Sequence, residues 1–230
     1  MAQALAEFGA DVTVCARSVP EIEETAHLIT AGGRRAIAVR VDVTRRDQVD
    51  SMVERTIREF GRVDILVNNV GIAVVKPFLE STPDDWQGQI GPNLYGTFFC
   101  TQAVGHHMIA QRSGKIINVS SVAGVAGKAG MTIYGATKAG VIQFTRVLAM
   151  EWAPYHINVN CIIPGAFYTR PMAGVLDDPT IGPIRIKKIP LRRVGQPREL
   201  GTLTVYLASA ASDFMTGVAI PVDGGETAKL

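Results

Sequence analysis

Apolar positions along the chain follow two periods in turn. Short aliphatic runs bounded by turn residues recur at 11–16, 35–41, 63–67, 114–120, 156–162 and 218–222, the pattern of strands covered on both faces. Between them, at roughly 19–31, 45–60, 83–110, 131–154 and 197–209, apolar residues return at helical spacing and predict amphipathic helices. This alternation predicts a parallel sheet wound by crossover helices, an α/β, Rossmann-like, doubly wound fold with residues 1–230 in one domain. Met1 to Ala10 carry no strand pattern and read as the later part of a helix closed by Gly9. Residues 165–196 break the alternation, with Pro171, Pro179, Pro183 and Pro190 among short apolar patches. A loop of that length is either a lid over a site or a disordered excursion.

Composition narrows the function classes. With 230 residues and 47% hydrophobic content, the chain is long enough to bury one large core. Lys+Arg 23 against Asp+Glu 21 leaves a net charge of +2 and no basic stripe, and aromatics at 7% offer no stacking platform, so no nucleic-acid partner is expected. Cys15, Cys100 and Cys161 lie in apolar stretches without Cys-x-x-Cys spacing, which predicts reduced, buried thiols with neither a disulfide nor zinc. His106 and His107 are adjacent on a helix, so they point about 100° apart. With no carboxylate or cysteine at ligand spacing, they predict a surface or interface role and no metal. The start lacks a basic segment leading into an apolar core, and no run of about 18 apolar residues occurs. Neither secretion nor membrane spanning is expected, and the chain reads as cytoplasmic.

The candidate chemistry lies in Ser121 and in the run Tyr134-Gly-Ala-Thr-Lys138, thirteen positions further on. On a helix over 131–154, Tyr134 and Lys138 are one turn apart on the same face. A tyrosine hydroxyl has an ordinary pKa near 10, and each unit of lowering needs about 1.4 kcal/mol of preference for the phenolate. Lys138 is expected to supply part of it. Tyr134 would then be general acid toward a ketone and general base toward an alcohol, with Ser121 holding the reacting oxygen. The spacing alone also fits an ordinary amphipathic helix with a solvated lysine.

Other motifs decide between these readings. Asp64-Ile-Leu-Val-Asn-Asn-Val-Gly71 is a short strand running into two asparagines and a glycine, and Val39-Arg-Val-Asp-Val43 ends another strand at an acid. Pro164-Gly165 precedes Thr169, and Val222-Asp-Gly-Gly225 stands near the end. In this order and spacing, from the first residue to about Gly225, the chain resembles the classical short-chain dehydrogenases/reductases. Within that family it looks most similar to the gluconate 5-dehydrogenase and 3-oxoacyl-carrier-protein reductase groups.

The resemblance implies hydride transfer between a nicotinamide cofactor and a small alcohol or ketone, with Ser121, Tyr134 and Lys138 catalytic. Asn93 matches the asparagine whose kinked helix holds a relay water. Asp42 and Val43 match the adenine contact, and Asn68, Asn69 and Gly71 the motif that fixes the central strand and lines the adenosine ribose, where Val70 replaces the usual alanine and Asn69 equally suits a role in stabilising the sheet. Pro164, Gly165 and Thr169 match the nicotinamide side, with Ile163 near the ring. Ala16 stands where an NAD-preferring strand carries an acid, and Arg17 follows it, so NADP(H) is expected over NAD(H). Asp42 can also be a turn acid, and Arg17 a solvated surface residue. Residues 165–196 correspond to the family's substrate lid. Trp152 and Tyr155 read as packing or subunit-contact residues, and a homotetramer or dimer is implied.

Two departures matter. Pro92 deletes a backbone donor and should bend the helix over 83–110. The chain also lacks the family's first strand and the glycine-rich turn that receives the cofactor pyrophosphate. In the strand order 3-2-1-4-5-6, the absent strand is central, so its flanking strands should face a gap. Three readings are open: a start at an internal methionine, a sheet that closes up with changed pairing, or another chain that fills the gap. The competing function is that of a cofactor-deficient relative acting as a non-catalytic structural or subunit-interaction protein.

Overall fold

A computed structural model describes residues 1–228. Helix α1 (Ala2–Glu7) leads into strand β1 (Val12–Ala16), α2 (Val19–Ala31), β2 (Ala36–Arg40), α3 (Arg46–Phe60) and β3 (Ile65–Asn68). Then follow α4 (Pro83–Ile90), α5 (Gly96–Gln111), β4 (Gly114–Val119), α6 (Thr132–Trp152) and β5 (Ile157–Pro164). The chain continues with α7 (Arg170–Leu176), α8 (Ile181–Lys187), α9 (Pro197–Ala208) and β6 (Ala219–Val222). Gly9, at φ 102°, ends the first helical segment, and the Ala10 N–H reaches back to the Leu5 carbonyl. None of the helices among the described residues is long and apolar enough to cross a membrane.

All named strand pairs are parallel, but they form two sheets, β1-β2 and β3-β4-β5-β6. The expected gap is therefore present as a division between β1 and β3, and the sheet does not close up. The direction of the backbone groups follows from the ladder. Val12 N–H donates to Arg35 and Val41 N–H to Ala16, so the even-numbered residues of β1 face β2. Thr13 and Cys15 present their N–H and C=O groups on the other side. Lys115 N–H donates to the Asp64 carbonyl, so Ile65 and Val67 likewise turn away from β4.

Side chains join the halves. Cys15 and Val39 pack with Val63 and Leu66 against the core of Val49, Met52, Val53, Val104, Met108 and Val159, between the sheets and α3, α5 and α6. On the opposite face, Ile65 and Val67 pack with Ile117, Ile162 and Leu207 of α9. Ile117 and Ile162 are 1% and 0% exposed, and removing either from water contributes about 1.5–3 kcal/mol. Helix α1 packs on both α2 and α9. Trp152 and Tyr155 pack against the larger core, and an added Cβ at Gly105 would lie 2.4 Å from the Trp152 ring, which requires a glycine there.

Two expected elements are corrected. The single helix over 83–110 is α4, a π-helical turn at Gly91–Tyr95, and α5. Pro92 cannot donate to a helical carbonyl, and the wider turn accommodates the lost bond. Residues 165–196 hold α7 and α8 instead of one long loop. Pro171 and Pro183 lie in the first turns of those helices, where an N–H has no helical partner to lose. The excursion is closed at its base by a parallel bridge between Phe167 and Gly195, with Gly195 N–H donating to Ala166 and Tyr168 N–H to Gly195.

Candidate active site

The site forms where β3, β4 and β5 end. Ser121 follows β4 in extended backbone, and its Oγ accepts from the Ala123 N–H at 3.2 Å, capping a short 3-10 turn. Tyr134 stands in the first turn of α6 and Lys138 one turn later. The Ser120 hydroxyl donates to the Lys138 carbonyl at 2.7 Å, fixing α6 against the end of β4. Lys138 is 2% exposed; its Nζ donates to the Val119 carbonyl at 2.9 Å and lies 3.4 Å from that of Val70. This lysine spans the ends of β4 and β3. An added Cβ at Gly71 would lie 2.9 Å from Nζ, so only glycine leaves the lysine its place.

The electrostatics differ from the sequence expectation. Burial pushes the Tyr134 phenol up, against a smaller downward pull from the Ser121 hydroxyl. The expected lowering by Lys138 is absent because Nζ is held by backbone carbonyls and meets the ring face, 5.8 Å from its centroid. Lys138 itself is lowered to about 8, chiefly by burial. The two hydroxyls can therefore hold and donate protons to an oxygen placed between them, with a cation beside the phenol ring.

Asn93, in the π-helical turn, is fully buried. Its Oδ1 accepts from Ile72 N–H at 2.8 Å, and its Nδ2 donates to the Ile72 carbonyl and to Thr137 Oγ1, both at 3.0 Å. Thr137 Oγ1 in turn donates to the Tyr134 carbonyl at 2.8 Å. The kink thus ties the loop after β3 to the turn that carries Tyr134.

Asn68, not Asn69, fixes the sheet. Asn68 is buried and its Nδ2 donates to Thr101 Oγ1 and Asn118 Oδ1, while Asn118 Nδ2 donates to Thr145 Oγ1. Asn69 is exposed, one residue past the end of β3. The Val43 side chain is also corrected. It points into the core, so close to α5 that an added Cβ on Gly96 would sit 2.5 Å from it, leaving only its backbone for a ligand. Ile163 belongs to the core with Val122, Val141 and Cys161. Asp42 acts as a turn acid, accepting from the Thr44 N–H and hydroxyl through Oδ1. Those bonds hold its carboxyl below the usual range, with a smaller contribution from nearby Arg17.

Arg17 is exposed just past β1. Pro164 ends β5 opposite Val222, and Gly165 N–H donates to the Val222 carbonyl at 3.0 Å. Thr169 is exposed at the N-cap of α7 without a side-chain capping bond. Ser120, Thr137, Asn118 and Thr145 escaped the sequence reading. The signal for the two threonines was present, as hydroxyls on the apolar stripe of α6 at Thr137, Val141 and Thr145.

The chain is similar to known proteins along nearly its whole length. Residues 1–227 match the family model described as enoyl-(acyl carrier protein) reductase. The chain is 40% identical over 226 residues to a 3-oxoacyl-[acyl-carrier-protein] reductase of Synechocystis, covering 97% of this chain and 90% of the relative. It is 38% identical over 230 residues to the 2-dehydro-3-deoxy-D-gluconate 5-dehydrogenase of Escherichia coli, covering 100% and 90%. A crystal structure of a gluconate 5-dehydrogenase from Burkholderia cenocepacia, in complex with NADP and tartrate, superposes with a TM-score of 0.94 at 37% identity, covering 100% and 90%.

Proposed function

The chain belongs to the short-chain dehydrogenase/reductase family, and from that premise we propose that it interconverts a secondary alcohol and a ketone, preferring NADP(H). The observation that carries this reading is the convergence of Ser121, Tyr134 and buried Lys138 at the end of β4. Hydride exchange is the chemistry a bound nicotinamide supplies. In reduction, Tyr134 gives its hydroxyl proton to the carbonyl oxygen, and in oxidation it takes that proton back. Ser121 donates a hydrogen bond to the same oxygen. Lys138, with a pKa of about 8, keeps its proton at neutral pH, and its ammonium beside the phenol ring would hold the nicotinamide ribose. Asn93 positions the Tyr134 turn through Thr137.

Residues at both ends of a dinucleotide fit the group. At the nicotinamide end, the buried Lys138 ammonium suits the ribose, and Thr169 offers an exposed hydroxyl after Pro164 and Gly165. At the adenosine end stand Arg17, Asp42 and the backbone of Val43, and Asn69 and Gly71 follow β3. Arg17 suits a 2'-phosphate, and the NADP in the gluconate 5-dehydrogenase complex points the same way. Residues 165–196, with α7 and α8, serve as the substrate lid of a single catalytic domain. The exposed apolar side chains of Tyr95, Val147 and Met150 suit a homo-oligomeric contact through the π-helical turn before α5 and through α6. The non-catalytic alternative gains no support from these relatives, each named for an oxidoreductase.

Calorimetric titration with NADPH and NADH tests the reading. NADPH should bind at least about tenfold more tightly, a difference of about 1.4 kcal/mol, and R17A should erase that preference. Absence of binding by either cofactor, in a folded and monodisperse sample, would sink the enzyme reading.

A further inference from the structure

Two walls face each other across the division of the sheet. On β1, Thr13 and Cys15 turn their N–H and C=O groups away from β2, and on β3, Ile65 and Val67 turn theirs away from β4. Among the described residues no strand pairs with either wall on that side. In a parallel ladder such groups lie in the plane of the sheet, so both walls present alternating donors and acceptors to one slot. An open edge is a template for one more strand, and here two edges share it.

The slot is apolar above and below. Cys15 and Leu66 lean on the core that α3 and α5 cover, whereas Ile65 and Val67 lie on the opposite face with Leu200 and Leu203 of α9. All of these side chains are only half-buried, although Ile116 of β4 and Val159 of β5 are 1% and 0% exposed. Each wall is held by its own helix and not by the other wall. Thr13 Oγ1 bonds to Thr56 Oγ1 of α3 at 2.9 Å, and Asn68 Nδ2 donates to Thr101 Oγ1 of α5 at 3.0 Å. Helix packing thus forms the slot in advance of any occupant.

We propose that this slot docks an extended aliphatic segment of a partner polypeptide, which becomes a strand paired with both β1 and β3. The main-chain groups of the walls supply affinity, and the two apolar faces supply selectivity. Side chains of a strand alternate between faces, so every residue of the segment meets apolar surface, which selects uncharged runs of Val, Ile, Leu and Ala. Proline is excluded, because its missing N–H would leave a wall carbonyl unpaired. The walls are five residues long at β1 and four at β3, which sets the length of the docked run. Docking joins the half of the molecule that carries Arg17 to the half that carries Lys138, whatever reaction they serve.

Hydrogen exchange with a synthetic peptide, acetyl-Lys-Lys-Val-Ala-Val-Val-Ala-Lys-Lys-amide, tests the site. At about 1 mM, the peptide should slow exchange of the Thr13, Cys15, Ile65 and Val67 amides at least about tenfold, and leave Gly33 and Gly61 in exposed turns unchanged. The same peptide N-methylated at its two adjacent valines keeps its side chains but loses one donor toward each wall, and it should have no effect. No slowing by the parent peptide, or equal slowing by the N-methylated one, overturns the proposal. Slowing at one wall alone would show addition to a single edge outside the slot, and also overturns it. Exchange at these four amides as slow as at Ile117 and Val159 before any peptide is added would show walls already paired, as by a second copy of this chain, and overturns it as well.

Discussion

The two sheets are built from the same kind of aliphatic strand, yet they differ in how they are held. In β4 and β5 nearly every residue is buried, and both strands are paired on both edges. In β1 and β2 no residue is fully buried, and the Thr13 and Cys15 backbone groups face away from β2, the one strand paired with β1 among the described residues. The difference shows where positional precision resides. Ser121, Tyr134 and Lys138 rest on the four-stranded sheet, where Asn68, Asn118 and Thr145 link β3, β4 and α6 through buried hydrogen bonds. Arg17 and Asp42, at the proposed adenosine end, rest on the two-stranded sheet. Proton transfer demands sub-ångström placement, and the half that supplies it is the better packed one.

The largest effect that would sharpen this contrast is chemical. Y134F should lower kcat about 10³-fold on any ketone the wild type reduces, with NADPH affinity and thermal stability little changed. A large loss of NADPH affinity would show that the two halves are not separable in this way. Next comes hydrogen exchange. Amides of Ile117 and Val159 should exchange only through global unfolding, and those of Thr13 and Cys15 at least about 10²-fold faster. Equal protection would break the comparison.

A third effect isolates Lys138 through pH. Between pH 8 and 10.5 the unfolded chain holds a proton on this lysine that the folded protein has released. Stability therefore rises with pH across that window, by roughly 3 kcal/mol, and K138M should lack that rise. Parallel pH profiles of urea stability for the two proteins would contradict the buried placement of the ammonium.

Much of the fold was legible because strand and helix periods are local. The strand cores, the helix over 19–31 and the i, i+4 relation of Tyr134 to Lys138 follow from spacing alone. Even the division of the sheet followed from the absence of a strand pattern before residue 11, given the strand order of the family. Errors arose where a local signal had two meanings. Pro171 and Pro183 read as loop breakers and turned out to open helices. Pro92 announced a bend, but only packing made it a π-helical turn with Asn93 bonded to Ile72.

The sequence by itself determined the order of elements, the parallel crossover fold and the residues able to move a proton, because each depends on identity and spacing along one segment. Only the tertiary structure decided that Asn68 and not Asn69 braces the sheet, that Val43 turns inward, and that burial raises Tyr134. Those outcomes depend on which distant groups meet and how much water they exclude, and desolvation and pairing have no signature in the spacing of a single segment.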